Sequence, residues 1–363
     1  MGATETIAKW IVNTNYEDIP PDAIRVANES CFDLLGVILA GSQQPVGEII
    51  QKYTSSQGAA PESTVLAGGF QSTQANAALA NGTMGHALDF DDFGGFGHPT
   101  VAIFPALLAI GEHTGATGRD LLEAYVVGCE IGLALQHETK YKQMDKGFHS
   151  TAVIGRLACT AACAKLLRLD EHQTIMALGM AGSMSSGLIH NFGTMTKPLH
   201  IGQCARSGVL AARLAAKGFT ANPQALEAPQ GFLEVYNGPG NYSIERILDK
   251  WFDPPLVLSP GISLKQFPCC GSTHPAIFAA IRLKERQRLN HCRIRSIEIL
   301  TPPRRLPHTN QPRPHTSLES KFSIQYCVAR ALVDGQVTLA DFENSAWEQT
   351  NITRLLGITQ VGE

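Results

Sequence analysis

Residues 197–217, KPLHIGQCARSGVLAARLAAK, decide the fold class. The run has the length of one long helix, Pro198 falls in its first turn, and Val209, Ala212, Leu214 and Ala215 stand among small residues. Many of the chain's 34 glycines lie inside this and similar stretches. Glycine in a helix interior costs roughly 1 kcal/mol relative to alanine. Close approach of helix to helix is the compensation such a sequence requires, and a tightly packed helical bundle follows.

Working outward, Pro20-Pro21-Asp22 opens a helical run through Leu39 that Gly41 closes. Ser72 is expected to cap a helix from Thr73 to Asp89, and Thr117 one from Asp120 to Leu135. Further helices are expected from Thr151 to Leu167 and from Asp170 to Ser185. Composition changes near Pro254-Pro255 and Pro260, which places a domain boundary near residue 260. Beyond it, Cys292 to Leu300 alternates Ile294, Ile297 and Ile299 with polar partners and predicts a strand. A proline-rich loop from Thr301 to Thr316 leads to helices near 318–332 and 345–356. The expectation is a mainly α chain, with a helical main domain over 1–260 and a smaller α+β domain over 261–363.

The 363 residues carry 29 basic and 32 acidic side chains, a formal net charge of -3, with no basic footprint for nucleic acid or an anionic membrane. Nine scattered cysteines without a CxxC pair support neither a zinc ribbon nor a secreted disulfide framework, so a reducing, cytoplasmic setting is expected. The N-terminal segment lacks the pattern of a secretory signal, and no apolar run is long enough to span a bilayer.

The densest polar cluster is HALDFDDFGGFGHP, residues 86–99. His86 and Asp89 stand three apart and share a helix face, and the chain breaks at Gly94-Gly95 before His98. Carboxylates at a helix C-terminus oppose the helix dipole, so Asp89, Asp91 and Asp92 need specific partners. A solvated turn is the plain alternative. A metal site would need different spacing: Asp89-x-Asp91-Asp92 is not a DDxxD diphosphate motif, and no HxxxH or HExxH pair follows. No metal is expected.

His149 opens a helix, where the dipole disfavours the imidazolium; a neutral imidazole there can act as a base, or merely close the turn. Lys197 stands at a helix N-terminus with unpaired N–H groups, a ready anion site. Lys265 lies in SLKQFPCCGSTHP with Cys269, Cys270 and His274; no flanking charge marks either cysteine as a nucleophile. A solvated surface position is the ordinary reading of a single lysine.

Five ordered blocks, ALANGTMGHALDFDDFGGFGHPT, GFHSTAVIGRLACTAACAKLLRL, GTMTKPLHIGQCARSGVLAARLAAKGFT, SLKQFPCCGSTHPAIFAAI and KFSIQYCVARALVDGQV, resemble the MmgE/PrpD family, which includes 2-methylcitrate dehydratase, cis-aconitate decarboxylase and iminodisuccinate epimerase. The resemblance implies a helical main domain with a smaller α+β lid, a homodimer, an active site between the domains, and no cofactor. It places the family's site positions at Asp89, His98, His149, Lys197 and Lys265, with His274 and His308 as further substrate contacts. His308 stands where the decarboxylase branch has a tyrosine, and the Lys197 block has KPLHIG in place of the KMWAAG of methylcitrate dehydratases.

The expected chemistry is proton transfer next to a carboxylate of a small di- or tricarboxylate, with dehydration, decarboxylation or epimerisation as outcomes. Lys197 and Lys265 are assigned to substrate carboxylates and the intermediate, His149 is the first proton-transfer residue and His98 the second, and Asp89 orients or tunes one of the histidines. Family members continue past ITRLLGITQVGE, so the lid is expected to be incomplete. The rival expectation is a catalytically impaired, shortened paralogue that serves as a dimerisation or ligand-binding module.

Overall fold

The computed structural model describes residues 2–247 and 251–363. It is mainly helical and divides into two compact units: Met1–Ala87, Asp91–Asn191 and Met195–Leu264 in the first, and Leu88–Phe90, Phe192–Thr194 and Lys265–Glu363 in the second.

The first unit contains α1 (Ala3–Asn13), α2 (Pro21–Gly41), α3 (Pro45–Ser55), α4 (Gln74–Gly85), α5 (Pro99–Thr114), α6 (Gly118–Thr139), the single turn α7 (Lys142–Asp145), α8 (Ser150–Leu166), α9 (Glu171–Met184), α10 (Thr196–Ala216), and the short α11 (Phe232–Asn237) and α12 (Ile244–Ile247). Local chemistry sets several starts. The Thr117 side chain accepts from the Asp120 N–H, and the Asp170 side chain from that of Gln173. The cap of α4 is Thr73, not Ser72, because Ser72 closes β2 (Phe70–Ser72), which pairs antiparallel with β1 (Ser63–Val65). The same helix stops at Gly85, not Asp89: His86 is its C-cap, with its N–H still donating to the Gly82 carbonyl, and Asp89 takes a left-handed φ of 50°. Helices α1, α3 and α5 were not separated by the sequence pattern. In α1 the buried Ile7, Ala8 and Ile11 supply the spacing that packs it.

Helix α10 packs against α4, α8, α9 and α5, and α8 packs in turn against α6. Every residue of α8 from Ser150 to Ala164 is buried, which explains its almost unbroken run of small side chains. At the crossing of α4 and α10 the backbones nearly touch: a Cβ on Gly82 would lie 3.1 Å from Cα of Gly202. A Cβ on Gly202 would overlap the Thr83 hydroxyl and the Leu79 carbonyl. Two-residue strands β3 (Phe93–Gly94) and β4 (Ile262–Ser263) pair antiparallel in this unit.

The second unit mixes helix and strand. It holds α13 (His274–Gln287), β5 (Ile297–Leu300), α14 (Leu306–Thr309), α15 (Ser317–Lys321), α16 (Ile324–Asp334), α17 (Thr350–Leu356) and β6 (Thr359–Gly362). β5 and β6 run parallel, with Ile297 opposite Thr359 and Leu300 opposite Gly362. Their core gathers Ile277, Ile299, Ile324, Val328, Leu332, Phe342, Ile352 and Leu355. The helix expected near 318–332 is broken at Phe322-Ser323, where the Ser323 side chain accepts from the Tyr326 N–H and starts a new helix.

Replacing Gly202 by alanine should destabilise the first unit by about 1–3 kcal/mol, the usual penalty for overpacking a filled contact. A urea midpoint unchanged in Gly202→Ala would show that α4 and α10 can move apart freely.

Candidate active site

The turn after α4 gathers the first group of candidate residues. Asp91, wholly buried, sits with its two carboxylate oxygens 3.0 and 2.9 Å from Nδ1 of His86, which is equally buried. Its Oδ2 also lies 2.9 Å from Nδ1 of His98, which in addition lies 2.8 Å from the Asp92 carbonyl. The His86 and His98 rings meet edge to face at 4.5 Å. Asp92 accepts from the backbone N–H and the hydroxyl of Thr100, and that hydroxyl lies 2.6 Å from the phenol oxygen of Tyr125. Burial, reinforced by Asp91, pushes Asp92 up to about 7, while burial lowers His86 to about 3 against the pull of Asp91. Burial alone would raise Asp91, but the charge interactions with His86 and His98, followed by their hydrogen bonds, outweigh it and hold the carboxyl well below the usual carboxylate range.

His149 caps α8 without a side-chain hydrogen bond to the helix, and its backbone N–H donates to Gly187 O at 2.9 Å. Its Nδ1 lies 3.3 Å from Nδ1 of His200, and its ring stacks on His86 at 6.1 Å. The His98 loop reaches this helix end because Gly97, at φ 117°, has no side chain; a Cβ there would overlap the Thr151 hydroxyl. Burial lowers the His149 pKa first, and Lys197, His86, His98 and His200 lower it further. Sequence reasoning ascribed neutrality to the helix dipole, whereas desolvation and neighbouring charge dominate. Lys197 is buried in the first turn of α10, three residues before His200 on the same face. His200, absent from the sequence-based candidates, was legible through that spacing alone.

In the second unit Lys265 and Asp89 form a buried ion pair with Nζ 3.2 Å from Oδ2, and Nζ donates to the Asp89 carbonyl at 2.5 Å. In the first unit it is Asp91 that holds the imidazoles of His86 and His98. Lys321, not among the sequence candidates, is buried nearby, donates to the Pro268 carbonyl at 2.7 Å, and is lowered to about 8 by burial. Cys269 is wholly buried, 3.3 Å from the Thr273 hydroxyl. His274 directs Nε2 to the Cys269 carbonyl at 3.3 Å, and Nε2 of His308 lies 3.0 Å from the Ser272 hydroxyl.

His86, Asp91 and His98 offer potential metal-ligand atoms within 4.8 Å of one another. Both Nδ1 atoms, however, stand at hydrogen-bond distance from a carboxylate, and a cation between them would have to displace two N–H donors. What the group offers as it stands is a buried carboxylate supporting imidazoles, beside a lysine.

The depressed histidines make stability depend on pH. Between the unfolded value of about 6.5 and the lower folded one, the unfolded chain binds more protons, so the contribution of His149 is present above that window and lost as pH falls through it. Asp92 and Glu130, both pushed up to about 7 by burial, act in the opposite sense. The histidine effect is isolated by His149→Asn: the drop in urea midpoint from about pH 7.5 to about pH 5 should be smaller than in wild type. An equal drop in both proteins would refute it.

The MmgE/PrpD N-terminal domain matches residues 5–245, and the MmgE/PrpD C-terminal domain matches residues 267–363. The chain is 31% identical to the cis-aconitate decarboxylase of Mus musculus over 97% of its own length and 74% of that protein. It is 31% identical to the one of Homo sapiens over 97% and 75%, and 28% identical to the one of Aspergillus terreus over 94% and 74%. Among the described residues no helix is long and apolar enough to cross a membrane. The chain belongs to the MmgE/PrpD family.

Proposed function

We propose that the chain is a lyase that acts, without a cofactor, on a small di- or tricarboxylate by proton transfer next to a carboxylate. The observation that carries this reading is the buried group in the first unit: neutral His149, carboxylate-held His98 and Lys197. cis-Aconitate is the first substrate to test, since the curated relatives that cover nearly the whole chain are named cis-aconitate decarboxylase.

The chemistry follows from charge. A trianion brought beside neutral imidazoles raises their basicity, so a proton is taken up from solvent as substrate binds. In decarboxylation one C–C bond breaks and CO2 leaves. The electron pair moves through the neighbouring double bond, and the imidazolium protonates the far carbon. Lys197 and Lys265 offset the charge of the remaining carboxylates. His149 is assigned the proton transfer and His98 the second proton-transfer position. Asp89 balances Lys265, while His274 and His308 contact substrate. In dehydration the base takes a proton from the carbon next to a carboxylate, the electron pair forms the double bond, and hydroxide leaves, protonated to water; in epimerisation the proton taken from that carbon is returned to the opposite face.

Purified protein is to be incubated with cis-aconitate, 2-methylcitrate and iminodisuccinate, and products followed by NMR. Turnover of at least one, unaffected by EDTA, is expected. His149→Ala and Lys197→Ala should each lower kcat/KM by about 100-fold or more, the usual scale for loss of an acid–base group. Undiminished turnover in the double variant would overturn the assignments. A thermal shift by these ligands without turnover would favour a ligand-binding module.

A further inference from the structure

One wholly buried carboxylate has no part in that chemistry. Glu130, in α6, has no exposed surface, and among the described residues it forms no ion pair. Both of its oxygens are occupied by backbone far along the chain: Oε2 accepts from the N–H of Leu256 at 3.1 Å, and Oε1 from that of Val257 at 2.8 Å. A buried carboxylate without a cation is costly, and burial pushes Glu130 up to about 7 although both N–H donors favour its charged form. An apolar side chain of similar size would fill this place in α6 without that cost. What it would not supply is the hold on Leu256 and Val257.

Those two residues begin a path of backbone contacts to the His98 loop. The N–H of Gly261 donates to the Leu256 carbonyl at 3.2 Å, and the N–H of Ile262 to the Val257 carbonyl. The turn they close delivers β4, in which Ile262 lies opposite Gly94 and Ser263 opposite Phe93. Gly94 sits close against this segment: a Cβ there would stand 3.0 Å from the Gly261 carbonyl oxygen. Gly94 and Gly97 then exchange two backbone hydrogen bonds of 2.8 Å each, and His98 is the next residue. Hydrogen bonds tolerate displacements of only a few tenths of an ångström, so a shift at Val257 is passed along this path.

We propose that Glu130 is a positioning residue for His98: its carboxylate fixes Leu256 and Val257, and through their turn and the pairing of β4 with β3 it sets the place of the 94–97 turn from which His98 extends. The kinetic part of this inference rests on the reading of His98 as a proton-transfer residue, whereas the structural part does not.

The full chain is compared with Glu130→Leu, which removes both acceptors, and Glu130→Gln, which keeps one, by hydrogen exchange and mass spectrometry at one pH. In the leucine variant, exchange should quicken about tenfold or more in residues 254–264 and in residues 92–98, the change expected when charge-assisted hydrogen bonds are lost, with α9 unaltered. The glutamine variant should lie between the two. With cis-aconitate the leucine variant should lose kcat by about tenfold or more with KM changed by less than about twofold, as for a slightly misplaced group, and the glutamine variant should recover part of the loss. Faster exchange confined to 254–264, with 92–98 unchanged, would overturn the proposal, as would equal effects in the two variants. Loss of protection throughout, α9 included, would overturn it too, since Glu130 would then support the whole unit and not one path. If wild-type protein turns over none of the three acids, the functional reading fails, and hydrogen exchange still decides whether Glu130 governs the His98 loop.

Discussion

The close approach of α4 and α10 at Gly82 and Gly202 is the constraint on which the first unit depends. Lys197 lies five residues before that crossing on one helix, and His86 four residues after it on the other. With the backbones in contact, the lysine at the start of α10 acts electrostatically on His86 at the end of α4. A side chain at the crossing would push the helices apart and weaken that coupling along with the packing. The helix-propensity cost of glycine is offset here by a contact that no larger residue permits.

Burial then governs the electrostatics. The carboxylates of the turn after α4 all have partners: Asp91 the two imidazoles, Asp92 Thr100, and Asp89 among others Lys265. Glu130 in α6 uses the same principle on the backbone, accepting from the N–H groups of Leu256 and Val257 at 3.1 and 2.8 Å. Taken out of water, an ionisable group either finds such partners or becomes neutral. His86 and His149 become neutral, which suits imidazoles that are to take up a proton when an anion arrives.

Much of this was legible before any coordinates. The small-residue helices, their approximate spans and the polar blocks in their order were all visible, because helical periodicity and capping are local properties. The dipole argument also foresaw that Asp89, Asp91 and Asp92 needed partners. It could not say which: Asp89 and Asp91 differ by two residues, and the left-handed turn at Asp89 sends them to different partners. The strand β6 and the break at Phe322-Ser323 escaped the pattern because a parallel partner and a mid-run cap depend on contacts far along the chain.

The sequence by itself determined a mainly helical chain of the MmgE/PrpD family and the residue types available for proton transfer, since both are written in short-range pattern and in ordered motifs. The tertiary structure alone decided the protonation and pairing of those residues. His86 became the buried partner of Asp91 through the turn after α4, and His200 joined His149 only once separate helix ends had been brought together. The reason is physical: a tautomer or a pKa is set by the atoms within a few ångströms, and in a helical bundle those atoms come from residues distant in sequence.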